Sequence, residues 1–83
     1  MRILFVENHA VFAETVVSRF LSEHRVVICR TIAAARELIA AGAAFDAMLV
    51  DYDLDDGTGD ELVRSVRASS YLGRIVAVSA RAD

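Results

Sequence analysis

Eighty-three residues give room for one domain, and a chain this short buries only about 60% of the surface it exposes when unfolded, so its margin of stability is small. At 55% hydrophobic residues and a mean hydropathy of +0.42 it is more apolar than ordinary globular chains, which run at about 45–50%, and some of that apolar surface is available for contact between chains. A net charge of −3 argues against the basic footprint with which nucleic-acid binders neutralise phosphates, and the longest nearly apolar stretch, Leu38 to Val50, is broken by Gly42 and Asp46 and falls short of the roughly 20 residues of a membrane span.

Ile3-Leu4-Phe5-Val6 is a continuous apolar run of strand formers, the pattern of a parallel strand covered on both faces. It follows Met1-Arg2 directly and is too short for the core of a secretory leader, which predicts a cytoplasmic protein. From Ala10 the period changes. Phe12, Ala13, Val16, Val17, Phe20 and Leu21 recur at helical spacing with Glu14, Ser18, Arg19 and Ser22 opposite, predicting an amphipathic helix with its apolar side chains inward. Val26-Val27-Ile28-Cys29 is a second, β-branched strand, and Cys29, the lone cysteine, reads as a small core residue. Thr31 is placed to cap a helix through Ala41 with Ile32, Ala35, Leu38 and Ile39 inward, and Gly42 to end it in a left-handed turn.

The third strand is Ala47-Met48-Leu49-Val50, ending at Asp51, and the acidic segment Tyr52-Asp53-Leu54-Asp55-Asp56-Gly57 then predicts an irregular loop. Thr58 with Glu61 matches a capping box that opens a helix to about Ala68, with Leu62, Val63 and Val66 inward. After a turn at Gly73, Ile75-Val76-Ala77-Val78 is the fourth strand. The order βαβαβαβ predicts an α/β fold, a parallel sheet with helices on both faces and right-handed crossovers.

In such a sheet ligands gather outside the carboxyl ends of the strands. The residues there are Glu7 and Asn8 after the first strand, Asp51 with Asp53 after the third, and Ser79 after the fourth. Carboxylates brought together repel unless a cation sits among them, and oxygen donors at that density suit Mg²⁺. A carboxylate held beside such an ion is a nucleophile toward a phosphoryl donor, and Asp51, which directly ends an apolar strand, is the natural one. Ser79 is placed to donate to a phosphoryl oxygen, although serines also end strands for reasons of turn geometry alone. Asn8 serves equally well as a helix cap, Asp53, Asp55 and Asp56 read as a solvated acidic loop, and His9 as a half-exposed residue at a helix start. The turn Glu7-Asn8-His9 has no glycine to admit a nucleotide phosphate.

The segments Ile3-Leu4-Phe5-Val6-Glu7-Asn8-His9, Met48 through Gly59, and Ile75-Val76-Ala77-Val78-Ser79-Ala80 resemble the signature stretches of response-regulator receiver domains, the CheY-like family with its flavodoxin-like sheet. The resemblance implies that Asp51 is the phosphoacceptor and that Glu7, Asp51 and the backbone carbonyl of Asp53 form the Mg²⁺ pocket. It makes Ser79 the switch hydroxyl, and the chain a binding module, not an enzyme, served by a histidine kinase or phosphotransfer protein. Three departures stand out. Asn8 is neutral where the family has a second metal-binding acid, so Asn8 would be a weak ligand and Mg²⁺ affinity low. Asp55 replaces a common proline. The chain, ending at Asp83, lacks the family's last α-β-α elements and the lysine that pairs with the phosphoryl group, and no lysine occurs anywhere in it. The fourth strand is then an edge, which predicts a homodimer formed through it. Two further readings are a pseudo-receiver that docks a partner or dimerises without being phosphorylated, and a phosphatase, because Asp51-x-Asp53 resembles the acid pair of haloacid-dehalogenase hydrolases. In that family the pair follows the first strand and a threonine stands where this chain has Asp55.

Overall fold

The chain runs β1 (Arg2–Val6), α1 (Ala10–Phe20), β2 (Arg25–Cys29), α2 (Ile32–Ala40), β3 (Ala47–Asp51), the two-residue strands β4 (Asp53–Leu54) and β5 (Gly57–Thr58), α3 (Gly59–Ala68) and β6 (Arg74–Val78). This computed structural model describes residues 1–69, 71 and 73–78, with only the backbone of Ala77 and Val78. Four strands form a parallel sheet in the order β2-β1-β3-β6, the expected α/β, flavodoxin-like arrangement. Its register sets Leu4 between Val27 and Met48, and Val6 between Cys29 and Val50.

Handedness decides which helix covers which face. The step from β1 to β2 runs one way along the sheet, whereas the steps from β2 to β3 and from β3 to β6 run the other way, so right-handed crossovers put α1 on one face and α2 with α3 on the other. Leu4, Val6, Met48 and Val50 point to the two-helix face, where they pack with Ile32 and Ala35 of α2 and Leu62 and Val66 of α3. Each fully buried side chain of this size contributes about 1.5–3 kcal/mol, and most of the buried apolar side chains cluster on this face. Ile3 and Phe5 alternate to the α1 face and are also buried, with Ala13 the one fully buried residue of α1.

The helix caps follow the sequence closely. Thr31 Oγ1 accepts from Ala34 N–H at 3.1 Å, Thr58 Oγ1 accepts from Glu61 N–H at 3.3 Å, and Gly42 ends α2 with φ +87°. Two expectations need correction. The acidic 52–58 segment is not irregular: β4 and β5 pair antiparallel, Asp53 opposite Thr58, around a tight turn at 55–56. Phe20 does not face inward but is 74% exposed, because it sits in the last turn of α1 with no element over it among the described residues. Coverage also thins toward the sheet edges, where Val27 and Ile28 of β2 and Val76 of β6 remain exposed.

Asp56 has a structural task that its neighbours in sequence do not suggest. Its two carboxylate oxygens accept from the Ile32 and Ala33 amides, at 2.8 and 3.0 Å, and so satisfy donors that the first turn of α2 leaves without intrahelical partners. The negative charge also faces the positive end of the helix. The Ile32 bond first, and the Ala33 bond next, hold the Asp56 carboxyl below its ordinary pKa. A depressed carboxyl pKa contributes stability above the unfolded-state value of about 3.9 and loses it as pH falls through the folded-state value. Asp56→Ala is therefore expected to lower the melting temperature at neutral pH, and the gap to the parent should shrink in acid; circular-dichroism melts across pH measure both.

Candidate functional site

Parallel strands bring their carboxyl ends to one rim of a sheet, and β1 and β3 are hydrogen-bonded neighbours, so the residues leaving them are forced together. Val6 lies opposite Val50 in register, which makes Glu7 and Asp51 the next residues along adjacent strands. Glu7 N–H donates to the Cys29 carbonyl at 2.9 Å and so extends the ladder past β1. Both acids are buried, Glu7 at 0% and Asp51 at 3% exposure. One carboxylate oxygen of each and a ring nitrogen of His9 all lie within 4.8 Å of one another.

Close burial of two acids is unfavourable unless something neutralises them. The Asp51 carboxyl is pushed above its ordinary pKa, first by burial and next by the charge of Glu7, while a hydrogen bond from the Tyr52 backbone amide opposes the shift. Asp53 adds further repulsion, and His9 offsets part of it. His9 closes over Glu7 from the start of α1: its backbone N–H donates to Glu7 Oε2 at 3.0 Å, and its Nδ1 lies 3.0 Å from the same oxygen. The other oxygen, Glu7 Oε1, is buried with no hydrogen-bond partner among the described residues, and so is Asn8 Oδ1. An orphaned buried acceptor costs about 1–3 kcal/mol, and more when charged. Two such acceptors on consecutive residues beside a buried carboxylate are what a divalent cation would satisfy, so the residues fit one.

The remaining predicted residues divide as follows. Asn8 turns its amide away to the loop after β3, donating to Asp55 Oδ1 at 3.0 Å, and leaves its carbonyl end unpartnered. Asp53 stands in β4, two residues beyond Asp51, and its side chain is exposed and outside the three-residue cluster. Ser79 lies outside the described residues. His9 is the group that sequence reasoning undervalued; the available signal was its i, i+2 spacing from Glu7 at a helix start where its own side chain makes no cap.

Gly59 fixes the backbone beneath Asp51. Its N–H donates to the Tyr52 carbonyl at 2.7 Å, and a Cβ there would collide with the Asp51 carbonyl oxygen and come within 2.8 Å of Val50 Cγ1. Only glycine lets α3 start so close against the end of β3.

No protein-family model matches the sequence, and no curated protein matches it. Solved structures do. The non-phosphorylated HemR receiver domain from Leptospira biflexa is 30% identical with a TM-score of 0.83, over 99% of this chain and 66% of that one. A CheY-like response regulator receiver domain from Methylobacillus flagellatus is 25% identical with a TM-score of 0.85, over 98% of this chain and 70% of that one. The chain belongs to the CheY-like receiver family. A third receiver relative, the N-terminal domain of a response regulator/sensory box/GGDEF 3-domain protein from Carboxydothermus hydrogenoformans, is 25% identical with a TM-score of 0.89, over 100% of this chain and 67% of that one. This receiver thus spans 66–70% of the length of these relatives. Among the described residues no helix is long and apolar enough to cross a membrane.

A carboxyl pKa raised in the folded state destabilises the fold at neutral pH, and stability is recovered as pH falls through that raised value toward the unfolded value of about 3.9. In metal-free buffer Asp51→Asn should therefore melt above the parent receiver at neutral pH. Calorimetric scans at decreasing pH should show the gap closing as the parent protonates Asp51.

Proposed function

We propose that this receiver accepts a phosphoryl group on Asp51 from a histidine kinase or phosphotransfer protein, and so carries a signal in a cytoplasmic two-component pathway. The observation that carries the reading is the fully buried Glu7, with one oxygen unpartnered, beside the buried Asp51 at the carboxyl rim of a receiver sheet. A carboxylate oxygen of Asp51 attacks phosphorus, the bond from phosphorus to the donor's imidazole nitrogen breaks, and the imidazole leaves with the electron pair and takes a proton. Asp51 is oriented for this by its strand, by the Tyr52 amide and by the α3 start packed beneath it.

Glu7, Asp51, the Asp53 backbone carbonyl and Asn8 Oδ1 are the groups that would hold Mg²⁺, weakly, because an amide replaces an acid at Asn8. When bound, the ion supplies positive charge toward the phosphoryl oxygens. Ser79 is assigned as the switch hydroxyl on the resemblance alone. In this reading the chain is an acceptor module and not an enzyme, and its partners are proteins, neither nucleic acid nor membrane.

A pseudo-receiver is the second reading, favoured by the neutral Asn8, whose amide is committed to Asp55. Intact-mass measurement after incubation with acetyl phosphate and Mg²⁺ separates the two. The phosphoacceptor reading expects one added phosphoryl group, lost in Asp51→Asn and reduced in Glu7→Gln. No added mass at saturating donor rejects it in favour of the pseudo-receiver.

The same proposal includes a homodimer through β6. That strand is outermost in the sheet among the described residues, and its Val76 is 49% exposed on the face that α1 covers only in part. Two copies related by a two-fold axis would set β6 against β6 antiparallel and satisfy both edges. Light scattering should give twice the 9.0 kDa chain mass, and Val76→Arg should shift the balance to monomer. A monomer at every concentration rejects the dimer.

A further inference from the structure

We propose that His9 is a metal ligand, and that the Glu7, His9 and Asp51 pocket takes a borderline transition-metal cation such as Zn²⁺ or Co²⁺ in preference to Mg²⁺. The inference deepens the receiver reading of the same pocket, and rests on it only for the pocket's location.

The first support is the donor set. The three side chains that converge offer two carboxylate oxygens and an imidazole nitrogen, all within 4.8 Å of one another. Mg²⁺ takes oxygen donors and keeps several waters, whereas imidazole nitrogen mixed with carboxylate suits zinc and its neighbours. Asn8 acts in the same direction, because replacing an acid by a neutral amide removes charge on which an all-oxygen Mg²⁺ site depends.

The second support is spacing. Donors about 2.0–2.2 Å from one metal, at angles between octahedral and tetrahedral, are about 2.8–3.6 Å apart. His9 Nδ1 and Glu7 Oε2 are separated by 3.0 Å, so this pair already has the bite of two ligands on one ion. The His9 backbone N–H holds the same oxygen at 3.0 Å, which keeps Glu7 turned toward the ring.

The third support is independent of the cluster's own hydrogen bonds. Glu7 is 0% exposed and its Oε1 has no partner among the described residues, so the His9 contact does not complete its coordination. If His9 and Glu7 served merely as an internal ion pair, Oε1 would remain an unsatisfied buried acceptor; a cation taken by both oxygens of Glu7 removes that penalty. With two carboxylates and a neutral imidazole, the charge of the site balances a divalent ion.

The test is metal binding read without phosphorylation, by calorimetric titration of the 83-residue chain with Zn²⁺, Co²⁺ and Mg²⁺ separately. One Zn²⁺ or Co²⁺ per chain is expected, with Co²⁺ producing ligand-field absorption. His9→Gln should weaken Zn²⁺ and Co²⁺ by about tenfold or more, at least the cost of losing a supporting partner of a ligand, while leaving Mg²⁺ binding unchanged. His24→Gln, at the other end of the sheet, should alter none of the three. In the unaltered chain, nitrogen-resolved NMR should show Zn²⁺ shifting the His9 Nδ1 resonance, a readout that does not depend on any variant folding. A His9 ring unmoved by Zn²⁺, or a His9→Gln chain that binds Zn²⁺ as the parent does or loses Mg²⁺ by the same factor, overturns the assignment. Labelling by acetyl phosphate is decided separately, so the two readings of the pocket fail by different measurements.

Discussion

The parallel pairing of β1 with β3 is the constraint from which the rest follows. Its register sets Val6 beside Val50, and the next residues on the two strands are acids that have no room to avoid each other. Burial makes this worse, since both carboxylates have given up water and Glu7 Oε1 has gained no partner among the described residues. The hydrophobic face beneath supplies the free energy that tolerates it. Leu4, Val6, Met48, Val50, Leu62 and Val66 are almost wholly buried, and the strands they anchor cannot slip by one residue without turning that row to the other side.

The loop after β3 is tied down at several points, and each tie connects the acid pocket to a different element. Asn8 reaches from the β1 end to Asp55, Asp56 reaches to the first turn of α2, and Gly59 packs α3 against the Asp51 backbone. The Arg30 and Asp55 ion pair, 3.9 Å apart and mostly exposed, adds little to this. A change of charge at Asp51 therefore acts on a segment that three neighbouring elements share.

How much of this was legible in the sequence depended on whether the signal was local. Strand runs, the Thr31 and Thr58 caps and the Gly42 stop are determined by residues within a few positions of one another, and all are found where the pattern put them. The meeting of Glu7 with Asp51 was legible because parallel strand order converts distant positions into neighbours by rule. Asp56 was not, because its partners are 23 and 24 residues away and nothing in an acidic run distinguishes a capping carboxylate from a solvated one. The β4–β5 ribbon was hidden for a similar reason: two-residue strands leave no periodicity to read. His9 was discounted as a half-exposed residue at a helix start, although what matters is the turn that folds its ring back over Glu7.

Phe20 shows where helical periodicity misleads. It stands seven residues from Ala13, in line with it on α1, yet one is 74% exposed and the other 0%. Period alone fixes the direction of a side chain relative to its helix; burial also needs something opposite, and among the described residues the α1 face of the sheet has a single helix where the other face has two. The exposed Val76 and Ile28 lie at the two margins of that same face, paired in register with Leu49 and Phe5. The high apolar content of this chain is thus not absorbed by a larger core. Part of it is carried on a half-covered sheet face, where burying it against another surface would return about 25 cal/mol for each Å² removed from water.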